Sequence, residues 1–310
     1  MIDSTRIADA RSLLARHFGP TRIARAASLS SPGHDVFLKI ETELPTGSFK
    51  VRGALYSLSV NAARRPIAEV IAASTGNHGA AVAYAGRQLG VRATIFLPIR
   101  PNPVKAARIR ELGASLVEVG ADLTAAIDAA QDYAERTGAF FLHDASDPDV
   151  PIGASTIGRE ILDARPETAA IYVPVGDTAL IRGVAAAARQ RRADVRIVGV
   201  VAERAPAYYL SWKSGRVVET ATADTIADGL AVRRPLASNV AAIGELVDDV
   251  RLVSEDELRA AIAFLQRHEH VTAEPAAAAS VAALMKENDP TPGTVALLVT
   301  GSNIAPDLRV

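Results

Sequence analysis

The chain has 310 residues, 49% of them hydrophobic and 22% charged, with a formal net charge of −1. That balance fits a soluble globular protein of about two domains with a sizeable core, and the near-zero charge offers nothing to a nucleic acid or a membrane surface. Cysteine is absent, which removes disulfides, a thiolate nucleophile and a cysteine-based zinc site, and fits a cytoplasmic protein.

Residues 3–17 read as an amphipathic helix with Ile7, Ala10, Leu13 and Leu14 on one side, and no signal-peptide core precedes it. No stretch approaches about 18 consecutive apolar residues, so no transmembrane span is expected. Val36 to Ile40 is a short strand. Thr46-Gly47-Ser48 then reads as a turn ending in a cap. Val51, Ala54, Leu55 and Leu58 form an apolar stripe at helical spacing, which puts Lys50 in the first turn of a helix. The positive end of the helix macrodipole disfavours a cation there and should help a neutral amine form. A neutral, partly buried amine can attack a carbonyl and make a Schiff base; the same segment alone also fits a solvated surface lysine.

Val70 to Ala73 is a second strand, ending at Ser74-Thr75-Gly76-Asn77-His78-Gly79. An Ala-rich helix runs to about Leu89 with Gly90 as its C-cap. Val91 to Leu97 is a strand, Asn102-Pro103 opens a helix to Leu112, Ser115 to Val119 is a strand, Asp122 caps a helix to about Thr137, and Phe140 to Leu142 is a strand. A second alternating run follows: helix 153–164, strand 170–174, helix 178–191, strand 195–201 and helix 204–213. Ser254 to Glu257 is a capping box for a helix to about His268, another helix follows Pro275, and Thr294 to Val299 is a closing strand. This alternation predicts an α/β protein of parallel sheets with helices on both faces.

In open parallel sheets, ligands sit where loops leave the carboxyl ends of strands. Residues 74–79 are one such loop; their glycines free backbone N–H groups at a helix start, which suits an anion such as a carboxylate and equally suits a tight turn. Pro174 to Gly183 is another, where backbone amides could hold a phosphate or simply form a strand–helix turn. Thr300-Gly301-Ser302-Asn303 is the third, with a hydroxyl able to meet a ring nitrogen. The six histidines show no metal-ligand spacing. Asp147 and Asp149 around Pro148 read as a turn, and Trp212 with Tyr208 and Tyr209 reads as packing.

Taken together and in order, TGSFK-x-RGA around Lys50, then STGNHG, then a glycine-containing strand–helix loop, then TGSN resemble the pyridoxal-phosphate enzymes of the tryptophan-synthase-β type (fold type II). The nearer resemblance is to their serine/threonine dehydratase and serine racemase branch. Glu274-Pro275 and Thr225 to Gly229 also look like that branch. The resemblance spans roughly residues 5–305. It implies two domains, 1–68 with 145–310 and 69–144, each an open, mostly parallel twisted sheet, with the cofactor in the cleft between them. It implies pyridoxal 5'-phosphate as cofactor, a small amino acid as substrate and a homodimer.

Residue by residue, the resemblance implies that Lys50 holds the cofactor and then acts as the Cα base. Phe49 packs on the ring, Asn77 bonds the ring oxygen, and Thr300 meets the pyridine nitrogen. Ser74, Thr75, Gly76, Asn77 and His78 bind the substrate carboxylate. Gly176, Asp177, Thr178, Ala179 and Leu180 cradle the phosphate. A hydroxyl partner leaves the pyridine nitrogen mostly unprotonated, and that weaker electron sink suits β-elimination. The expected reaction is dehydration of a β-hydroxy amino acid to a 2-oxo acid and ammonia. The alternatives are β-replacement of the cysteine-synthase kind, racemisation, and a non-catalytic binding protein on the same fold.

The chain also departs from the pattern. Relatives usually have a run of glycines where it has Gly176-Asp177-Thr178-Ala179, and Asp177 beside a phosphate should cost affinity. The racemase pattern has Ser at Thr75. The branch's divalent cation needs an acidic residue, matched by Glu203, and an Asp where Tyr209 stands, so no tight metal site is expected. No feedback-regulatory domain is expected after Val310.

Overall fold

The computed structural model describes residues 2–287 and 292–304. Helix α1 (Ser4–Leu14) is capped by Asp3, whose side chain accepts the Arg6 N–H. It is followed by β1 (Ile23–Arg25), β2 (His34–Ile40) and α2 (Lys50–Arg64). Next come β3 (Glu69–Ala73), α3 (Asn77–Leu89), β4 (Arg92–Leu97), α4 (Pro103–Glu111), β5 (Ser115–Glu118), α5 (Leu123–Thr137) and β6 (Phe140–Phe141). The chain continues with α6 (Val150–Ala164), β7 (Thr168–Pro174), α7 (Ala179–Arg191), β8 (Arg196–Ala202), α8 (Ala207–Ser214), α9 (Ala237–Leu246), β9 (Asp249–Val253), α10 (Glu255–His268), α11 (Pro275–Met285) and β10 (Gly293–Val299).

The strands form a six-stranded sheet, β1-β2-β10-β7-β8-β9, and a four-stranded sheet, β5-β4-β3-β6. All pairings are parallel except β1 with β2. Alternate residues of each strand feed opposite layers, as strand geometry requires. In the larger sheet Tyr172, Val200 and Leu297 pack with α10 and α11, while Ile171, Ile197 and Leu298 pack with α6, α7 and α9. In the smaller sheet Val70, Ala72 and Ile95 pack with α2, α3 and α4, and Ile71 and Phe96 face α5. Helices thus cover both faces of both sheets.

Local signals behave as their chemistry dictates. Gly90 ends α3 in the left-handed region, Asn102 and Asp122 cap their helices by side chain, and Ser254 with Glu257 closes a reciprocal capping box. Three expectations need correction. Helix α6 starts at Val150, not 153, because Asp147 Oδ1 accepts the N–H groups of Asp149 and Val150 at 2.8 and 3.1 Å. Asp147 is therefore a buried cap rather than a plain turn residue. Helix α8 starts at Ala207, not 204, because Pro206 is its boundary. Ser48 is not the cap of α2: Phe49 holds that position, no side-chain cap bond is made, and the Ser48 hydroxyl is buried without a partner.

Candidate active site

The carboxyl ends of β3, β6, β7 and β10 open onto one cavity of about 360 Å³. All thirteen site residues expected from the sequence line it: Phe49, Lys50, Ser74, Thr75, Gly76, Asn77, His78, Gly176, Asp177, Thr178, Ala179, Leu180 and Thr300.

Lys50 stands in the first turn of α2, where the apolar stripe of that helix anchors its backbone. Its Nζ lies 2.5 Å from Asp144 Oδ2 and 5.4 Å from the centre of the Phe49 ring. Burial alone lowers the pKa of this amine, but the Asp144 carboxylate outweighs it and the net shift is upward. The expected neutral amine is thus corrected: an ion pair holds the charge that the helix start disfavours. For Asp144, burial works upward, yet Lys50 first and His78 next hold it well below the usual carboxylate range.

The neighbouring segments are tied together by the backbone. Phe49 N donates to Thr300 O at 3.0 Å, and Ser48 bridges Gly301 in antiparallel register. The Lys50 turn and the end of β10 are therefore tied to each other through the backbone. Thr300 itself is buried.

Helix α3 starts at Asn77 behind Gly76, with no side-chain cap, so its first N–H groups remain available to an anion. Asn77 Nδ2 donates to Glu274 Oε1 at 2.6 Å, and Asn77 Oδ1 accepts from Asn303 Nδ2 at 2.5 Å. One N–H of its amide remains for a ligand. His78 is buried, with Nε2 2.9 Å from Leu142 O and Nδ1 3.9 Å from Asp144. Burial pushes its pKa down, and the Lys50 charge adds to that, so it sits neutral in the wall. Its backbone N–H, rather than its ring, faces the task of binding an anion at the helix start.

The loop after β7 has the features of a phosphate cradle. A Cβ on Gly176 would stand 2.2 Å from Gly229 O, so only glycine fits there. Thr178, a β-branched residue, is held at φ +67° immediately before α7. That conformation is costly for threonine and marks a site where the fold enforces backbone geometry. Left-handed followed by helical backbone turns successive N–H groups toward one point. No side chain caps α7, and its first backbone bond is Arg182 N to Thr178 O, which leaves the N–H groups of Ala179, Leu180 and Ile181 for an anion. Asp177 is the discordant member. Burial first and Asp144 second push its pKa up to about 6, against Lys50, His143 and Arg182. Its carboxyl is therefore still partly protonated just below neutrality, which softens the conflict with a phosphate.

Sequence reasoning missed His143 and Asp144 as cavity residues, and assigned no role there to Glu274 or to Asn303 of the third loop. His143 and Asp144 closely follow β6, so the strand-end rule that found the other loops also pointed there. Glu274 caps α11 at its backbone and is pushed up to about 7, by burial and then by Asp228. Among the described residues no group of three or more His, Asp or Glu side chains is arranged to hold a metal ion.

A lysine beside an uncapped, strained anion loop, with a second uncapped helix start facing it, is what a phosphorylated carbonyl cofactor requires. The profile of the pyridoxal-phosphate dependent enzymes matches residues 14–301. The chain belongs to that family. Its cofactor is pyridoxal 5'-phosphate, and the donor set around Lys50 and the 176–180 loop fits it. The L-threonine ammonia-lyase of Thermotoga maritima is 35% identical over 305 residues, covering 98% of this chain and 76% of that one. The crystal structure of a threonine deaminase from T.th. superposes with a TM-score of 0.91 at 30% identity, covering 98% of this chain and 99% of that one. The maize serine racemase structure gives 0.93 at 26% identity, covering 98% and 94%. No helix among the described residues is long and apolar enough to cross a membrane.

Proposed function

We propose that this pyridoxal-phosphate dependent enzyme is an ammonia-lyase that dehydrates a β-hydroxy amino acid such as threonine or serine. The observation that carries the reading is the convergence of Lys50, the 74–78 loop, the 176–180 loop and Thr300 on one cavity. The likeness to threonine ammonia-lyase and threonine deaminase supports it over β-replacement.

In this reading Gly176 to Leu180 would hold the phosphate, Phe49 would pack on the ring, Thr300 would meet the ring nitrogen, Asn77 the ring oxygen, and Lys50 would make the covalent bond. When bound, the cofactor supplies an electron sink next to the substrate Cα. The N–H groups at the start of α3, with Ser74 and Thr75, bind the substrate carboxylate and fix the Cα–H bond. Lys50 Nζ takes the Cα proton. Asp144 stabilises the ammonium that results and so makes Lys50 a stronger base. The β-hydroxyl leaves as water, taking the proton that Lys50 Nζ has just received, and hydrolysis of the released enamine gives a 2-oxo acid and ammonia. The two sheets are taken as the cores of two domains, 1–68 with 145–310 and 69–144, that meet at this cleft. A homodimer is part of the proposal and is tested by light scattering on the purified protein.

The test is to incubate the purified enzyme with L-threonine, L-serine, 3-hydroxyaspartate and phenylserine and to measure 2-oxo acid and ammonia together. Equal release of both from at least one substrate is expected. Release from none of them overturns the reading.

A further inference from the structure

Behind the 176–180 loop lies a buried polar cluster. Asn239 of α9 is buried, and its Nδ2 stands 3.1 Å from Ala145 O, 3.3 Å from Asp177 O and 3.3 Å from Tyr208 Oη. Arg182 Nη2 donates to the same Ala145 O at 3.3 Å. One amide and one carbonyl thus gather the Arg182 guanidinium and the Asp177 backbone. Two members of the cluster lack partners. Arg182 Nε is buried with no acceptor. The Asp177 carboxyl, half-buried at the cavity wall, makes no hydrogen bond or ion pair among the described residues. A buried donor without an acceptor and a half-buried carboxylate without a cation are both costly, and here their charges are opposite.

The backbone around Asp177 is fixed. Gly176 is pressed against Gly229 O, Thr178 is held at φ +67°, and Asn239 holds the Asp177 carbonyl. A phosphate arriving at the N–H groups of Ala179, Leu180 and Ile181 can therefore displace only the Asp177 side chain. The charged and titratable groups that act on this carboxyl are Lys50, His143 and Asp144, which line the cavity, and Arg182 and Tyr208, which do not. Lys50 is already paired with Asp144. The other cations at the cavity have their own surroundings: Lys105 pairs with Asp228, Arg234 pairs with Glu219, and Arg108 lies against Gly47, where a Cβ would meet its Nη2 at 3.5 Å. Arg182 stands one helical turn beyond the loop, its backbone N on Thr178 O at 2.9 Å, with Nε unspent.

Resting on the placement of the phosphate at residues 176–180, we propose that Arg182 is a positioning residue for the cofactor, which draws the Asp177 carboxylate out of the cavity when the phosphate enters and so lets an acidic residue stand in an anion cradle. The movement is a rotation of one side chain on a fixed backbone. It gives Arg182 Nε its missing acceptor and Asp177 its missing donor, through a charge-assisted bond. It also moves the negative charge away from the phosphate and places a guanidinium behind it. Arg182 touches neither cofactor nor substrate in this arrangement. It acts through Asp177, so its effect on cofactor affinity exists only while residue 177 carries a charge.

The test is a double-mutant cycle on the dissociation constant of pyridoxal 5'-phosphate, read by fluorescence titration of the cofactor-free protein at pH 8, where Asp177 is ionised. Arg182→Met should weaken binding about tenfold in the wild-type background and by less than about twofold in the Asp177→Asn background, a coupling of the size expected for residues in contact. Arg182→Lys, which keeps the charge, should stay within about threefold of wild type. An equal loss in both backgrounds, or no loss in either, overturns the proposal. A crystal structure of the cofactor-loaded wild type tests it without any substitution. An Asp177 oxygen within about 3.2 Å of an Arg182 guanidinium nitrogen is expected. A phosphate seated in the loop with the Asp177 carboxylate still turned into the cavity overturns the proposal and leaves the loop reading standing. A phosphate seated elsewhere overturns both.

Discussion

Asn77 and Glu274, 197 residues apart in the chain, are joined by a 2.6 Å hydrogen bond between the start of α3 and the start of α11. The bond links a helix on the smaller sheet to one on the larger, directly at the cavity. Glu274 is buried there with a pKa pushed up from the ordinary 4.5 to about 7, by burial first and by Asp228 second.

A pH dependence of stability follows. Between about pH 4.5 and 7 the folded protein keeps the Glu274 proton and the unfolded chain has lost it. Stability therefore falls as pH rises through that window, by up to ~1.4 kcal/mol per unit from this group, and the loss is complete above it. Glu274→Gln keeps an acceptor for Asn77 and removes the titration. Thermal unfolding at pH 5, 6 and 7 should show wild type losing stability relative to the variant. Parallel profiles would show that Glu274 titrates normally.

Lys50→Ala should abolish the visible band of the bound cofactor and lower turnover by at least ~10³, within the range for losing a positioned base together with its covalent link. Far-UV circular dichroism should stay native, because the stripe of Val51, Ala54, Leu55 and Leu58 holds α2 without the lysine. A variant that keeps both its yellow colour and its turnover would remove Lys50 from the mechanism.

The strand–helix alternation and the position of Lys50 are legible in the sequence because they rest on local rules, namely apolar periodicity, caps and glycine stops. The short β1 and the edge strand β9, with Asp249 and Arg251 in it, are not, since charged residues at a sheet edge carry little apolar signal. The charge state of Lys50 is hidden for a different reason. Its position on a helix is a property of neighbours in sequence, whereas its partner Asp144 arrives from 94 residues away. Asp147 is ambiguous because an aspartate followed by proline signals a turn and a helix cap alike, and only the bonds it accepts from Asp149 and Val150 decide between them.

Asp177→Asn should strengthen cofactor binding, and the gain should grow with pH. The Asp177 carboxyl is pushed up to about 6, so below that pH it is mostly uncharged and tolerates a phosphate dianion beside it. Above pH 6 it ionises and repels the phosphate, by up to about tenfold in affinity per unit from one coupled proton. Fluorescence titration of the cofactor-free protein at pH 5.5 and 8 should find similar affinities for wild type and variant at the lower pH and a weaker wild type at the higher. Weaker binding by the variant at both pH values would mean that Asp177 contributes a bond to the cofactor.

The last prediction concerns which of two reactions wins. L-Configured hydroxy amino acid should be eliminated, with little release of its mirror image. In the proposed reaction both outcomes begin with Lys50 taking the Cα proton. Racemisation then needs a second acid positioned on the opposite face of Cα. Thr75, a half-buried residue lining the cavity, is the hydroxyl that stands where the racemase pattern has Ser. Its extra methyl restricts χ1, so its oxygen is less free to turn toward Cα than a serine oxygen would be. A misplacement of about 1 Å can cost on the order of a hundredfold in rate, which is enough to decide a competition between two exits from one state. Elimination needs no opposite-face acid, because the leaving hydroxyl needs only a proton from its own side, which Lys50 carries once it has taken the one on Cα. Thr75→Ser should raise the racemised fraction while leaving 2-oxo acid release within about threefold of wild type, since an effect on one exit need not slow the shared first step. Chiral chromatography of residual substrate alongside a 2-oxo acid assay reads both quantities. If D-amino acid accumulates faster than 2-oxo acid in the wild type, the chain is a racemase and the argument from Thr75 fails.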